Sequence, residues 1–146
     1  MFEGTAYSSE SSRVSDVTIY KNNPFHIEYN PITGWKGMTG YKWNKSGTQR
    51  FCEFSDLYYG IRAYLRVMKN GYFGKGLNTI ESIVRKYSPD GNESNYIKAL
   101  CQRLGLGPNV SLSWGQVSYL GSAMSAVEGY PLSVGIIEYV KENEGL

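Results

Sequence analysis

At Ser55 the spacing of apolar residues changes period, and that switch decides most of what this chain can fold into. From Tyr20 to Phe54, short aromatic or β-branched runs alternate with turn residues: HIEYN, Pro31 to Gly34, WKGMTGYKW, NKSG and QRFCEF. Period-two runs broken by such turns predict a small antiparallel sheet. From Leu57 onward, Leu57, Ile61, Tyr64, Leu65 and Met68 recur at helical spacing, with Ser55 as N-cap and Gly71 as stop. Thr79 caps a second helix with the face Ile80, Ile83, Val84 and Tyr87, ended by Ser88-Pro89, and Pro89-Asp90-Gly91 then turns. A third helix runs from about Ser94 to Leu104 on Tyr96, Ile97, Leu100 and Cys101, with Gly105 past its end. Ser113 and Gln116 form a capping-box pair for a fourth, which carries Trp114, Val117, Leu120, Met124 and Val127 and stops at Gly129. Pro131 opens a last helix with Val134, Ile137 and Val140 inward. The reading is an α+β domain over residues 20–146: a small antiparallel sheet at about 20–54, then about five helices. Residues 1–19, rich in Ser, Glu and Gly and without periodicity, are expected to form a flexible N-terminal arm.

Composition removes several function classes. The 146 residues suffice for one core and leave no room for a second domain. Fifteen scattered basic residues and a net charge of +2 lack the stripe of a nucleic-acid binder. No run approaches the roughly 20 apolar residues that cross a bilayer, so no membrane partner is expected. Cys52 and Cys101 form no CxxC pair, and with His26 as the sole histidine no zinc site assembles, so neither metal nor other cofactor is expected. The start MFEGTAYSSESSR has neither basic n-region nor apolar h-region. It reads as a chain made in the cytoplasm without a signal peptide, with both thiols buried and free.

No GxSxG, P-loop or GxGxxG is present, and one histidine allows at most one nucleophile–base pair. Carboxylates remain, and a glycosidic bond can be cleaved by carboxylates alone. Glu128 stands out because it ends the apolar helix AMSAVEGY directly before a glycine. Partial burial and the negative end of a helix dipole both favour its protonated form, as a general acid requires. The plainer reading is a solvent-facing glutamate in a last helical turn. Glu28 and Glu53 are the candidate second acids, or simply outward strand residues. Asp56 suits a helix first turn, and His26 reads as packed rather than as a proton shuttle. Tyr29, Trp35 and Tyr41 suit either a sugar platform or hairpin packing.

The run NNPFHIEYN, then GWKGMTG, FCEF and YYGIRAYLRVM, resembles a family of phage and prophage proteins of virion-structural or lysozyme-like kind. NTIESIVRKYSPDGNESNYIKAL and AMSAVEGYPLSVGII continue the likeness, so that about residues 21 to 140 are covered. Glu28, where that family favours arginine, and Val127-Glu128-Gly129, where an Asn often follows the Glu, depart from it. A more distant likeness is to the flagellar-type β-N-acetylglucosaminidases, carried by Asn22-Asn23-Pro24-Phe25, Trp35-Lys36-Gly37 and Phe51 to Phe54. The Glu-ending helix that precedes those motifs there resembles AMSAVEG at the far end here, which implies a circular permutant of the lysozyme-like fold.

These resemblances imply a peptidoglycan-degrading domain, muramidase or lytic transglycosylase in style. Glu128 would be the acid, Glu28 or Glu53 the nearest second carboxylate, and Asn23, Tyr29, Trp35 and Tyr41 would place the glycan strand. The alternative is a non-catalytic virion protein that uses the fold as a structural or glycan-binding part. Either way the setting implied is a phage particle, with residues 1–19 docking other virion proteins. The geometric expectation is Glu128 at the rim of the main pocket, within reach of the segment from Asn22 to Trp35. Phe51 and Phe54 are expected to be buried against the first helix through Leu57, Ile61 and Leu65. Since strand alternation puts them on opposite faces, β-structure must end or bulge near Glu53.

Overall fold

The computed structural model describes residues 20–89 and 91–146. The expected arm at 1–19, and Asp90 of the expected turn, lie outside the described residues. Two strands, β1 (Met38–Trp43) and β2 (Arg50–Phe54), pair antiparallel as a hairpin. Five α-helices follow among the described residues: α1 (Leu57–Gly71), α2 (Ile80–Tyr87), α3 (Glu93–Leu104), α4 (Val117–Val127) and α5 (Val134–Asn143). The α+β layout read from the period switch is therefore the one observed. No helix among the described residues is long and apolar enough to cross a membrane.

The helices start where local chemistry supplies acceptors for their first N–H groups. Thr79 and Ser82 form a reciprocal capping box on α2, and Ser133 accepts from the Ile136 N–H on α5. Three boundaries differ from expectation. Asp56, not Ser55, caps α1: its backbone is extended and its carboxylate accepts from the Tyr58 N–H at 2.8 Å, while Ser55, one residue earlier, bonds back to Gly37 O through its N–H. The Ser113–Gln116 box closes a 3-10 turn, Trp114–Gln116, ahead of α4. Pro131 precedes α5 by three positions, since Leu132 is tied back to α4 through the Ser125 and Ser122 hydroxyls.

HIEYN is not a strand. It touches β2 through a single bridge, Glu28 to Phe51, because the chain around it is folded by side chains and left-handed residues. Asn22 and His26 have φ of 58° and 50°, which breaks any extended run. The Asn22 carbonyl lies on α1 at Gly60, where a Cβ would come within 2.0 Å of that oxygen. Asn23, fully buried, accepts from the Ile27 N–H at 2.8 Å and donates to the carbonyls of Ile27 and Cys52 at 3.0 and 2.8 Å. Its side chain thus replaces part of a sheet ladder. Phe25 follows into the centre of the core, stacked on Tyr64 of α1 with ring centroids 4.0 Å apart.

Phe51 and Phe54 are both buried, but not by the expected route. Cys52 and Phe54 face the core shared with Ile61 and Leu65, while Phe51, on the other face, is covered by Tyr20 and His26 at 4.7 and 5.5 Å. The bulge lies in β1 between Met38 and Gly40 rather than near Glu53. Burial on two faces needs no break in β2 once the segment from Tyr20 to Ile27 covers the second one. The two thiols are unbridged; Cys52 is buried, and burial pushes it up to about 11, whereas Cys101 is only half-buried.

The C-terminus is latched to α1. Glu144 takes the Tyr58 hydroxyl proton at 2.5 Å, the Arg62 Nε–H at 2.7 Å and an Arg66 Nη2–H at 3.2 Å. The Tyr58 hydroxyl, with help from the two guanidinium groups, holds the Glu144 carboxyl down at about 2. A carboxylate whose folded value lies below its ordinary 4.5 contributes stability that is complete above pH 4.5 and disappears as pH falls toward 2. Glu144→Gln should therefore lose about 2 kcal/mol at pH 7, and the gap to the parent should close between pH 4.5 and 2. Urea titrations of both proteins across that range check this. A gap independent of pH would mean that the latch works by packing alone.

Candidate functional site

The main groove runs between the segment 27–35 and the first two helices. It has a volume of about 510 Å³ and is lined by Tyr29 and Trp35 on one wall, Val67, Tyr72 and Tyr87 on the other, with Glu28 and Asn30 at its edge. Aromatic rings are therefore dense in this groove, and of its members Tyr87 comes from a position read only as a helix face, while Tyr72 was not singled out in the sequence. Burial raises the phenols of both; for Tyr87 the neighbouring Tyr72, Tyr64, Glu128 and Cys52 add to it. The Tyr87 hydroxyl donates to the Phe25 carbonyl at 3.2 Å. The Tyr87 ring is thereby fixed at the base of its wall, and both phenols stay protonated.

Glu128 lies near enough to Tyr87 for its charge to raise that phenol. It is the C-cap of α4, its N–H bonded to Met124 O, and Gly129 then turns the chain at φ 92°. It is fully buried and does not line the groove, so the expectation of a carboxyl at the rim is corrected. The expected partner segment is reached nonetheless: the His26 Nδ1 lies 3.4 Å from Glu128 Oε1, and His26 is equally buried. The separation exceeds the 2.7 to 2.9 Å of a strong charge-assisted hydrogen bond, so this is an electrostatic contact rather than a tight one. It forms because Phe25 and Ile27 anchor in the core on either side, which drives His26 inward at a backbone conformation unusual for a non-glycine residue. A packed histidine was expected; its pairing with the one candidate acid was not.

The other candidates separate. Glu28 is exposed at the groove edge. Glu53 is not among the lining residues; its Oε2 meets the Lys21 N–H at 3.4 Å on the sheet face away from Cys52, so it is corrected as a second acid. Asn23 is corrected as a glycan contact, because a fully buried amide with three internal bonds has nothing left to offer a ligand. Tyr29 and Trp35 line the groove. Tyr41, exposed on β1, extends it, its ring 4.4 Å from that of Tyr29.

Sequence reasoning passed over Arg50 and Trp43. The Arg50 guanidinium carbon lies 5.0, 5.2 and 5.3 Å from the ring centroids of Tyr29, Tyr41 and Trp43. The available signal was register: residues two apart on β1 share a face with Arg50 at the start of β2, to which Trp43 pairs directly. A scan against protein-family models and a search of the curated proteins returned no match for this chain.

Proposed function

We propose that this domain binds cell-wall glycan strands along the groove. The observation that carries the reading is the groove itself, about 510 Å³ with Tyr29, Trp35, Tyr72 and Tyr87 on its walls and polar groups at its edge. Sugar rings present apolar C–H faces to flat aromatic surfaces and hydroxyls to polar rims, and a concave site with both suits a saccharide. The likeness to virion proteins supports a phage particle as the setting, with peptidoglycan as the ligand. Sedimentation with insoluble peptidoglycan tests this: the parent protein should co-sediment, and Trp35→Ala, at a half-buried groove position, should lower affinity about tenfold, the effect of about 1.4 kcal/mol. Unchanged affinity in Trp35→Ala would move the ligand elsewhere.

A second reading, cleavage of the bound strand, is favoured by the position of Glu128, a buried carboxyl at a helix end close to Tyr87 of the groove wall. Its burial requires that His26 and the residues around it swing away before any glycosidic oxygen could reach it. A zymogram on peptidoglycan separates the readings. Clearing by the parent, reduced a hundredfold or more in Glu128→Gln while co-sedimentation persists, is the result expected of a glycosidase. Co-sedimentation without clearing is the result expected of a binding domain.

A further inference from the structure

The cation above the exposed rings joins no ion pair among the described residues. Arg50 is half-buried, and among the described residues no carboxylate bonds to it and no side-chain hydrogen bond engages it. It sits instead against Tyr29, Tyr41 and Trp43, with Tyr41 and Trp43 exposed. The guanidinium carbon lies over all three rings, and a guanidinium held over aromatic faces keeps its full charge and its set of N–H donors. Those donors form a fork matched to two carboxylate oxygens. Lys36, Lys42, Lys45 and Arg50 fall between residues 36 and 53 against one acid there, Glu53, while Glu28, bridged to Phe51, puts a second carboxylate at the groove edge beside Tyr29. Tyr29 belongs both to this cage and to the groove wall, so a ligand lying in the groove reaches the guanidinium without a gap.

We infer that Arg50 and its three rings form an anion subsite that takes the free lactyl carboxylate of an acidic amino sugar, as exposed on a glycan strand from which the peptide has been removed, at one end of the bound glycan. The inference rests on glycan binding in the groove and adds the chemistry that selects among glycans. Rings alone would hold any sugar with an exposed C–H face; a carboxylate opposite the guanidinium sets one sugar apart from its neutral neighbours. The aromatic cage also limits the freedom of the arginine, so less is lost on forming the fork.

The test uses the full chain and three disaccharides followed by NMR titration at low salt. One is neutral diacetylchitobiose, one carries a muramic acid with its lactyl carboxylate free, and one is the same sugar with that carboxylate amidated. The acid form should bind about tenfold tighter than the other two, and 0.5 M salt should shrink the preference, since an exposed ion pair is screened. Arg50→Gln should bring all three sugars to one affinity while leaving the shifts at Trp35 in place. Equal binding of the acid and its amide to the unaltered protein, a comparison that needs no variant to fold, overturns the subsite and leaves the groove reading intact. A preference that survives Arg50→Gln does the same. If no sugar binds, the groove reading falls and the subsite with it.

Discussion

Asn23→Ala should destabilise the domain by about 3 kcal/mol or more and leave little folded protein at elevated temperature. The substitution removes the acceptor from the Ile27 N–H and one donor each from the carbonyls of Cys52 and Ile27, of which Ile27 keeps the Cys52 N–H at 2.9 Å, all inside the core. Each buried polar group left without its partner costs about 1 to 3 kcal/mol, and no water is expected to replace an amide at a fully buried position. Asn23→Asp should be as harmful, because the carboxylate keeps the acceptor but faces two carbonyl oxygens where the amide had donated. Asn30→Ala is the control: Asn30 is exposed and its side chain serves only the Ile32 N–H, so a change within about 0.5 kcal/mol is expected. Urea unfolding of the three variants, read at constant slope, decides the matter. A stable Asn23→Ala protein with weakened glycan binding would return this residue to the ligand site from which its burial removes it.

The same residue marks the boundary of what the sequence could disclose. Helix positions were legible because apolar spacing, caps and glycine stops all pointed to the same elements, and α1 to α5 fall within a few residues of expectation. The caps that differed were shifts of one to three residues: Asp56 beside Ser55 supplies the acceptor for α1, and α5 starts past Pro131 because Leu132 is tied to α4. HIEYN read as a strand because its composition suits one; the reason it is not lies in the Asn23 amide and in left-handed backbone at Asn22 and His26. Neither carries a period. Tyr29 and Trp35 suited either a platform or hairpin packing from the sequence, and both line the groove. The far wall was not legible: Tyr87 sits on an apolar helix face, where a tyrosine looks the same whether it fills the core or lines a groove, and Tyr72 follows the end of α1, outside any periodic run. Glu128 was found by its position at a helix end, yet its burial depends on where His26 is driven by Phe25 and Ile27.

Glu128 and His26 should prove strongly coupled in a double-mutant cycle. Removing one member of a buried ionisable pair leaves the other with its desolvation penalty and without the compensating charge, which typically costs 3 to 5 kcal/mol. His26→Leu and Glu128→Leu are each expected to fall in that range. The double replacement removes both penalties together, and two leucines can fill similar space against Tyr20 and Phe51. It should therefore be far less harmful than the sum of the singles, with a coupling energy of at least about 1 kcal/mol. Additive losses would show that the 3.4 Å contact contributes nothing and that each residue is held by other neighbours. The absolute stability of the double variant bears on function as well. Were the pair present only to hold α4 against the segment from Tyr20 to Ile27, its replacement by apolar residues would leave glycan affinity and any clearing of peptidoglycan as they were. A double variant as stable as the parent, still bound to glycan but without clearing, would mean that the fold carries the pair at no advantage to itself. A carboxyl and an imidazole kept close to an aromatic groove wall on those terms are best explained by chemistry performed when that wall opens.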